Sequence, residues 1–232
     1  NNGNFLNTVY AVRHDEQGIS SAVPQTQSRI YEGSFDGYWV TLASEGGYLC
    51  AAGSIYTAQL DYAPIGADGT LGAWTKSNLL PTGARTNRSN HVMPTHDGRI
   101  YVLGGWWRDS QPIFDDAWYA TLNGDGSFGT FSETTALPVI LRWGGATVSP
   151  TGVLYVTNYQ DLYTAEVQAD GSLGAFSSAF PLRDWSHQRT SNGMTLAADD
   201  MLAVISGDTA HFVRLGGDGA PVKIEAEAAT PH

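Results

Sequence analysis

The sequence predicts an all-β fold of four similar four-stranded units, and three observations carry that expectation. A short motif recurs at Asp68-Gly-Thr-Leu-Gly-Ala-Trp74, Asp125-Gly-Ser-Phe-Gly-Thr-Phe131 and Asp170-Gly-Ser-Leu-Gly-Ala-Phe176, with a degenerate copy at Asp218-Gly219-Ala220 and a fainter one at Glu16-Gln17-Gly18. The acidic positions 16, 68, 125, 170 and 218 lie 45 to 57 residues apart, the length of one four-stranded repeat. An aromatic stands six positions earlier in four of the five copies (Tyr10, Tyr62, Tyr119 and Phe212), and Tyr163 stands seven earlier in the other. Finally, no stretch repeats apolar residues at helical spacing through three turns.

Each element follows from local pattern. Arg99-Ile-Tyr-Val-Leu103 and Val153-Leu-Tyr-Val156 are β-rich runs entered through Gly98 and Gly152. Trp118-Tyr-Ala-Thr-Leu122 alternates and then meets an Asp-Gly pair, a hairpin signal because glycine accepts positive φ. Gly69, Gly126 and Gly171 are therefore expected in tight turns with positive φ, and Leu71-Gly-Ala-Trp74 as the short strand after the turn. Strands 1 and 2 of a unit precede the aromatic strand, and strands 3 and 4 flank the turn. Four complete units then fit at about 23–78, 79–134, 135–179 and 180–228.

Residues 1–22 remain as an outer hairpin, Thr8-Val-Tyr-Ala-Val12 and Ile19-Ser-Ser-Ala22, without inner strands. A lone hairpin is marginal in water, and its edge leaves backbone groups unpaired. Two pairings are open. It closes the ring along the fourth unit near Val222-Lys-Ile-Glu225, or it extends a neighbouring chain by β-augmentation, which gives self-association through residues 1–22.

Leu80-Pro81, Arg88, His91, Gly98, Ile100-Tyr-Val-Leu-Gly-Gly105 and the Tyr-Ala strand leading into the Asp-Gly turn resemble a kelch-type β-propeller repeat. They are similar in particular to the bacterial exported kind with a DGSLGAW segment between its outer strands. The likeness is best over 56–131, extends to about 178, and is weak in the first 50 and last 25 residues. It implies a small propeller of four-stranded kelch-like blades, four complete blades plus an N-terminal outer hairpin. It leaves activity open, because such propellers serve enzymes, binders and scaffolds alike.

Composition removes several classes of function. Of 232 residues only 15% are charged, against about 25% in ordinary domains. The balance of 12 Lys+Arg against 23 Asp+Glu, a net charge of -11, offers no basic stripe for nucleic acid. No apolar run approaches the ~20 residues that span a bilayer. Cys50 is the one cysteine, so a disulfide framework and CxxC motifs are excluded. The chain begins at Asn1, which fits either a removed signal peptide or a piece cut from a longer polypeptide. Few charges and many aromatic, Asn, Ser and Thr residues suit an exported protein, with an extracellular, cell-surface or periplasmic location.

The residues that precede or start each innermost strand surround a propeller's central channel, where ligands bind. They are Arg85, Arg88, Asn90 and His91 in the second blade, Arg142 and Trp143 in the third, and Asp184, Trp185, His187, Arg189 and Asn192 in the fourth. Trp106 and Trp107 follow strand 2 of the second blade. Arg88 and Arg142 each stand ten residues before their blade's glycine, Gly98 and Gly152, and so occupy equivalent positions. Repeated arginines suit an anionic group, and exposed Trp beside Asn and Asp suits a sugar. The competing structural reading has these arginines bridging neighbouring blades through backbone carbonyls and the Trp rings wedged between sheets.

The ligand-binding set is therefore Arg88, His91, Trp106, Trp107, Arg142, Trp143, Trp185, His187 and Arg189. No metal site is expected, since the six histidines form no HxH or HxxxH pair. One Asp per turn is too few for calcium. No cofactor is expected, and no GxSxG nucleophile is present. A convergent carboxylate pair among Asp36, Asp109, Asp115, Asp116 and Asp184 stays open for glycoside hydrolysis. Asn87-Arg88-Ser89 matches a glycosylation triplet and is read as chance. These features favour a secreted or surface-exposed binding and assembly module for a glycan or protein partner, held at the mouth or the blade edges. The alternative is a carbohydrate-active enzyme, a hydrolase or mutarotase.

Overall fold

A computed structural model describes residues 10–11, 14–15, 18–19, 23–24, 41–53, 58–81, 87–106, 113–141, 144–158, 161–177, 180–182, 192–198, 200–206 and 209–222. An N-terminal hairpin comes first: β1 (Tyr10–Ala11) pairs β4 (Val23–Pro24), and β2 (His14–Asp15) pairs β3 (Gly18–Ile19). The first four-stranded sheet holds β5 (Thr41–Glu45), β6 (Tyr48–Ala52), β7 (Gln59–Pro64) and β8 (Thr75–Leu79). The second holds β9 (Thr95–His96), β10 (Arg99–Trp106), β11 (Ile113–Thr121) and β12 (Ser132–Glu133). The third holds β13 (Gly145–Val148), β14 (Val153–Thr157), β15 (Asp161–Glu166) and β16 (Phe180–Pro181). The fourth holds β17 (Asn192–Ala198), β18 (Met201–Ser206), β19 (Thr209–Leu215) and β20 (Pro221–Val222).

Every sheet is an antiparallel meander in chain order. The innermost strands β5, β9, β13 and β17 pack side by side in succession. The four sheets are thus successive blades. β8 ends at Leu79, and Phe180–Pro181 belongs to the third sheet, so two blades run one or two residues past their expected ends.

The second strands of the second and third blades are buried on both faces because a blade stacks on either side. In β10, Ile100 and Val102 pack with Cys50, Leu60 and Tyr62 of the first blade. The alternate residues Tyr101 and Leu103 pack with Leu154, Val156 and Leu173 of the third. Tyr155 of the third blade then meets Leu202, Val204 and Val213 of the fourth. Alternation along a strand thereby feeds two different cores.

The Asp-Gly motifs form the expected turns, with φ of 80° at Gly69, 87° at Gly126 and 91° at Gly171. The degenerate copy keeps the geometry, with φ 77° at Gly219. In the first turn Gly69 N–H donates to Gly66 C=O at 2.8 Å and Gly66 N–H to Thr70 C=O at 2.7 Å, a turn followed by a left-handed glycine. Asp68 Oδ1 accepts from the Thr70 amide and hydroxyl at 3.0 and 2.7 Å. Ser127 and Ser172 bond Asp125 and Asp170 in the same way. These hydrogen bonds hold the carboxylates of Asp68, Asp125 and Asp170 below the usual range.

One expectation is corrected. Leu71 forms an isolated bridge to Ile65, and the fourth strand begins at Thr75, past the motif. Residues after the turn face the preceding blade instead of extending a ladder: Phe128 and Leu173 are core residues between blades.

The later three turns also clasp the blade before them. Tyr101 Oη donates to Gly171 C=O at 3.0 Å, Tyr155 Oη to Gly219 C=O at 2.7 Å, and Tyr48 Oη to Gly124 C=O at 3.4 Å. A Cβ at Gly126 would overlap the Tyr48 and Tyr62 rings, and one at Gly171 would overlap Arg99 and crowd Tyr119. The glycine therefore serves twice, for its φ and for the close approach of a tyrosine. The N-terminal hairpin strands pair only with each other among the described residues, as β20 pairs only with β19. Lys223 to Glu225 lie outside the described residues.

Candidate functional site

The site grows from Asn87–His91, which opens the innermost strand of the second blade. Ser89 exchanges backbone hydrogen bonds with Trp106, at 3.0 and 2.7 Å, and Val92 does so with Leu103, at 3.2 and 3.0 Å. Between those anchors both strands bulge. Asn90 takes φ 53°, while opposite it Gly104 and Gly105 take 60° and 113°. Asparagine is among the few side chains that adopt this region readily. Glycine is required opposite, since a Cβ on Gly105 would lie 2.9 to 3.2 Å from Ser89, His91 and Arg88.

The bulge draws five polar residues inward: Asn87, Arg88, Ser89, Asn90 and His91 are all buried. Arg88 is fully enclosed and spans its own blade. Its Nη1 donates to Gly104 C=O at 2.7 Å and to Asp116 Oδ1 at 2.9 Å, and its Nη2 donates to Asp116 Oδ2 at 2.6 Å. The guanidinium carbon sits 4.2 Å above the Phe114 ring centroid, and Trp118 Nε1 donates to Asp116 Oδ2 at 2.7 Å. The Arg88 charge is thus neutralised internally, which corrects its assignment as an anion-binding group. The bridge also lies within one blade and not between neighbours.

His91 is 3% exposed, and neither ring nitrogen has a hydrogen-bond partner among the described residues. Burial, and then the adjacent Arg88 charge, push its pKa down to about 3, so the imidazole is neutral. Its carbonyl accepts from Thr41 Oγ1 at 2.8 Å, tying the site to the first blade. Asn87 Oδ1, Asn90 Nδ2 and Arg88 Nε are likewise buried and without a partner among the described residues. The cluster therefore offers acceptors and donors with no net charge. Trp106, half-buried, borders it at the end of β10.

The unfolded chain protonates His91 near pH 6.5 and the native state only near 3. Between those values the unfolded state binds more protons, so stability falls as pH falls through this window. Urea denaturation midpoints between pH 7 and 4 are expected to drop more steeply for the native chain than for His91→Asn. Parallel curves would contradict the neutral, buried imidazole.

The sequence-expected Trp107, Arg142, Trp143, Trp185, His187 and Arg189 lie outside the described residues, as do Asp36, Asp109 and Asp184. Asp116 serves Arg88 and Trp118, and Asp115 is exposed. Asn87, within the glycosylation triplet, is buried. Cys50 is enclosed in the first core, where burial pushes its thiol up to about 12. Among the described residues no three His, Cys, Asp or Glu side chains gather as a metal site would require. Sequence reasoning missed Phe114 and the Arg88–Asp116 pairing. No local pattern signals a contact across 28 residues.

Four meandering four-stranded sheets, stacked in succession with their first strands innermost, define a β-propeller. Residues 87–119 match the Kelch motif, which is the site segment together with β10 and most of β11. The fold is that of a β-propeller, and its second blade carries a kelch repeat. The solved structure of YjhT is similar, with a TM-score of 0.57 at 13% identity over 83% of this chain. A fungal alcohol oxidase of the AA5 family, in complex with copper, is similar with a TM-score of 0.53 at 17% identity over 80% of this chain. The chain spans 66% and 43% of those two proteins, and at such identities the likeness is one of fold. No curated protein matches the chain in sequence. No helix among the described residues is long and apolar enough to cross a membrane.

Proposed function

We propose that the chain is a binding module whose second blade holds an uncharged, polyhydroxylated ligand, a neutral glycan, at the start of its innermost strand. The observation that carries this reading is the set of unpartnered buried atoms on Asn87, Arg88, Asn90 and His91. Buried polar atoms without protein partners call for water or a ligand. Asn87 Oδ1 accepts, Asn90 Nδ2 and Arg88 Nε donate, and the two nitrogens of a neutral imidazole do one of each. Hydroxyl groups, which donate and accept at once, satisfy such a mixed set. With Arg88 paired to Asp116, a carboxylate or phosphate finds no uncommitted cation among the described residues of the cluster. Trp106 at the border supplies the aromatic surface that sugars stack on. The low charge and polar composition support an extracellular or cell-surface setting for such a binder.

Calorimetric titration with neutral and acidic oligosaccharides tests the proposal. Neutral glycans are expected to bind with little salt dependence, and His91→Ala to weaken them about tenfold or more, the cost of one or two lost hydrogen bonds. Melting curves check that the variant folds. Binding of acidic sugars alone, with steep salt dependence, would overturn the reading.

A further inference from the structure

The junction between the third and fourth blades is built differently from the two before it. At the first junction Tyr48 and Tyr62 lie against the next blade's turn glycine, Gly126, and at the second Arg99 and Tyr119 lie against Gly171. The two pairs come from equivalent places. Tyr48 and Arg99 each begin a second strand, and Tyr62 and Tyr119 each stand six residues before the aspartate of their own Asp-Gly turn. In the third blade those places hold Val153 and Thr164. The aromatic has slipped by one residue, so Tyr163 lies on the other face of β15, against the core shared with the second blade.

A second closure is lost at the same place. The backbone of Phe128 bonds to the Ser77 and Asn78 side chains across the first junction, and that of Leu173 to Thr134 and Thr135 across the second. Pro221 holds this position in the fourth blade and has no N–H to offer. An open cavity of about 410 Å³ lies here, bordered by Val153, Thr164 and Glu166 on one side and by the Asp218–Ala220 turn on the other. Glu166 and Asp218 are exposed, and no Lys, Arg or His lines the cavity among the described residues. Asp170 accepts from both the amide and the hydroxyl of Ser172, whereas Ala220 gives Asp218 an amide alone, at 3.0 Å. Asp218 thus keeps acceptor capacity for an incoming donor.

The second junction shows what such a space holds. There the Arg99 guanidinium donates to Ala169 C=O at 3.5 Å, one residue before Asp170, with the Tyr119 ring at the same turn glycine. We propose that the cleft between the third and fourth blades binds an arginine and a neighbouring aromatic of a partner peptide, in the space that Arg99 and Tyr119 fill one junction earlier. The guanidinium meets Glu166 and Asp218, whose carboxylates suit its planar fork. The ring covers Val153 and the Gly219 turn as Tyr119 covers the Gly171 turn. A peptide is the occupant because a guanidinium alone leaves the aromatic's share of the cavity empty.

The probe is N-acetyl-Arg-Tyr-amide, titrated by ligand-observed NMR to about 20 mM, which covers the millimolar affinities of ligands this small. Binding is expected, and replacing the arginine with citrulline, its uncharged isostere, should weaken it about tenfold, as loss of charge-assisted hydrogen bonds does. The double variant Val153→Arg with Thr164→Tyr rebuilds the second junction's filling, and should melt no lower than the native chain while losing the peptide. Glu166→Gln and Asp218→Asn keep the shape of the cleft and should each weaken binding about threefold or more, so the test stands even if the filled variant misfolds. No binding at any concentration would overturn the proposal, as would equal affinity for the citrulline peptide. Binding that survives undiminished in the filled variant, or in both charge variants, would place the peptide elsewhere and also overturn it. Agmatine binding as tightly as the dipeptide would overturn the peptide as the source of the guanidinium.

Discussion

Gly126→Ala is expected to destabilise the protein by about 2–5 kcal/mol, against about 1–2 kcal/mol for Gly69→Ala, although both glycines close the same turn. The shared part is the left-handed backbone, φ 87° and 80°, which costs a residue with a Cβ about 1–2 kcal/mol. The difference is the neighbour. A Cβ at Gly126 overlaps the Tyr48 and Tyr62 rings, whereas at Gly69 nothing among the described residues lies within 4 Å. Forcing atoms into a packed junction adds about 1–3 kcal/mol. Chemical denaturation of the two variants side by side measures the gap. Equal losses would mean that the turn glycine is needed for its φ alone, and that the clasp between blades contributes nothing.

Asp116→Ala should cost about 3–5 kcal/mol, because it strands a fully enclosed guanidinium without its counter-ion. Arg88 is 0% exposed and has no second carboxylate among its described partners. Trp118 also loses its acceptor. The double variant Arg88→Met with Asp116→Leu removes both charges and keeps the volume filled. It should recover at least about 2 kcal/mol of that loss, since an apolar pair replaces a buried ion pair at little net cost. Coupling near zero in the cycle would show that Arg88 finds its compensation elsewhere.

The site was half legible before the structure. Arg88, His91 and Trp106 were singled out because they stand where an innermost strand begins and ends its hairpin. The structure brings them together around one bulge, yet gives them different work. Arg88 is an internal strut, and His91 and its asparagine neighbours hold the unpaired atoms. Residue type and position identify a neighbourhood. They do not say which charge has a partner, because that depends on Asp116, two strands away.

What the sequence determined by itself was everything governed by local conformation. A repeat of 45 to 57 residues, a strand period of two and an Asp-Gly pair specify four-stranded units and the sign of φ at Gly69, Gly126 and Gly171. Those preferences act within a few residues, so they can be read from a few residues. Tertiary structure alone decided what the same residues meet. It placed Leu71 away from a ladder and set Tyr101 against Gly171, 70 residues on. It also buried His91 beside a cation, so that its imidazole is neutral where a free histidine is poised to titrate. Burial and pairing are properties of the stacked blades, and each is set by side chains that local sequence does not bring into contact.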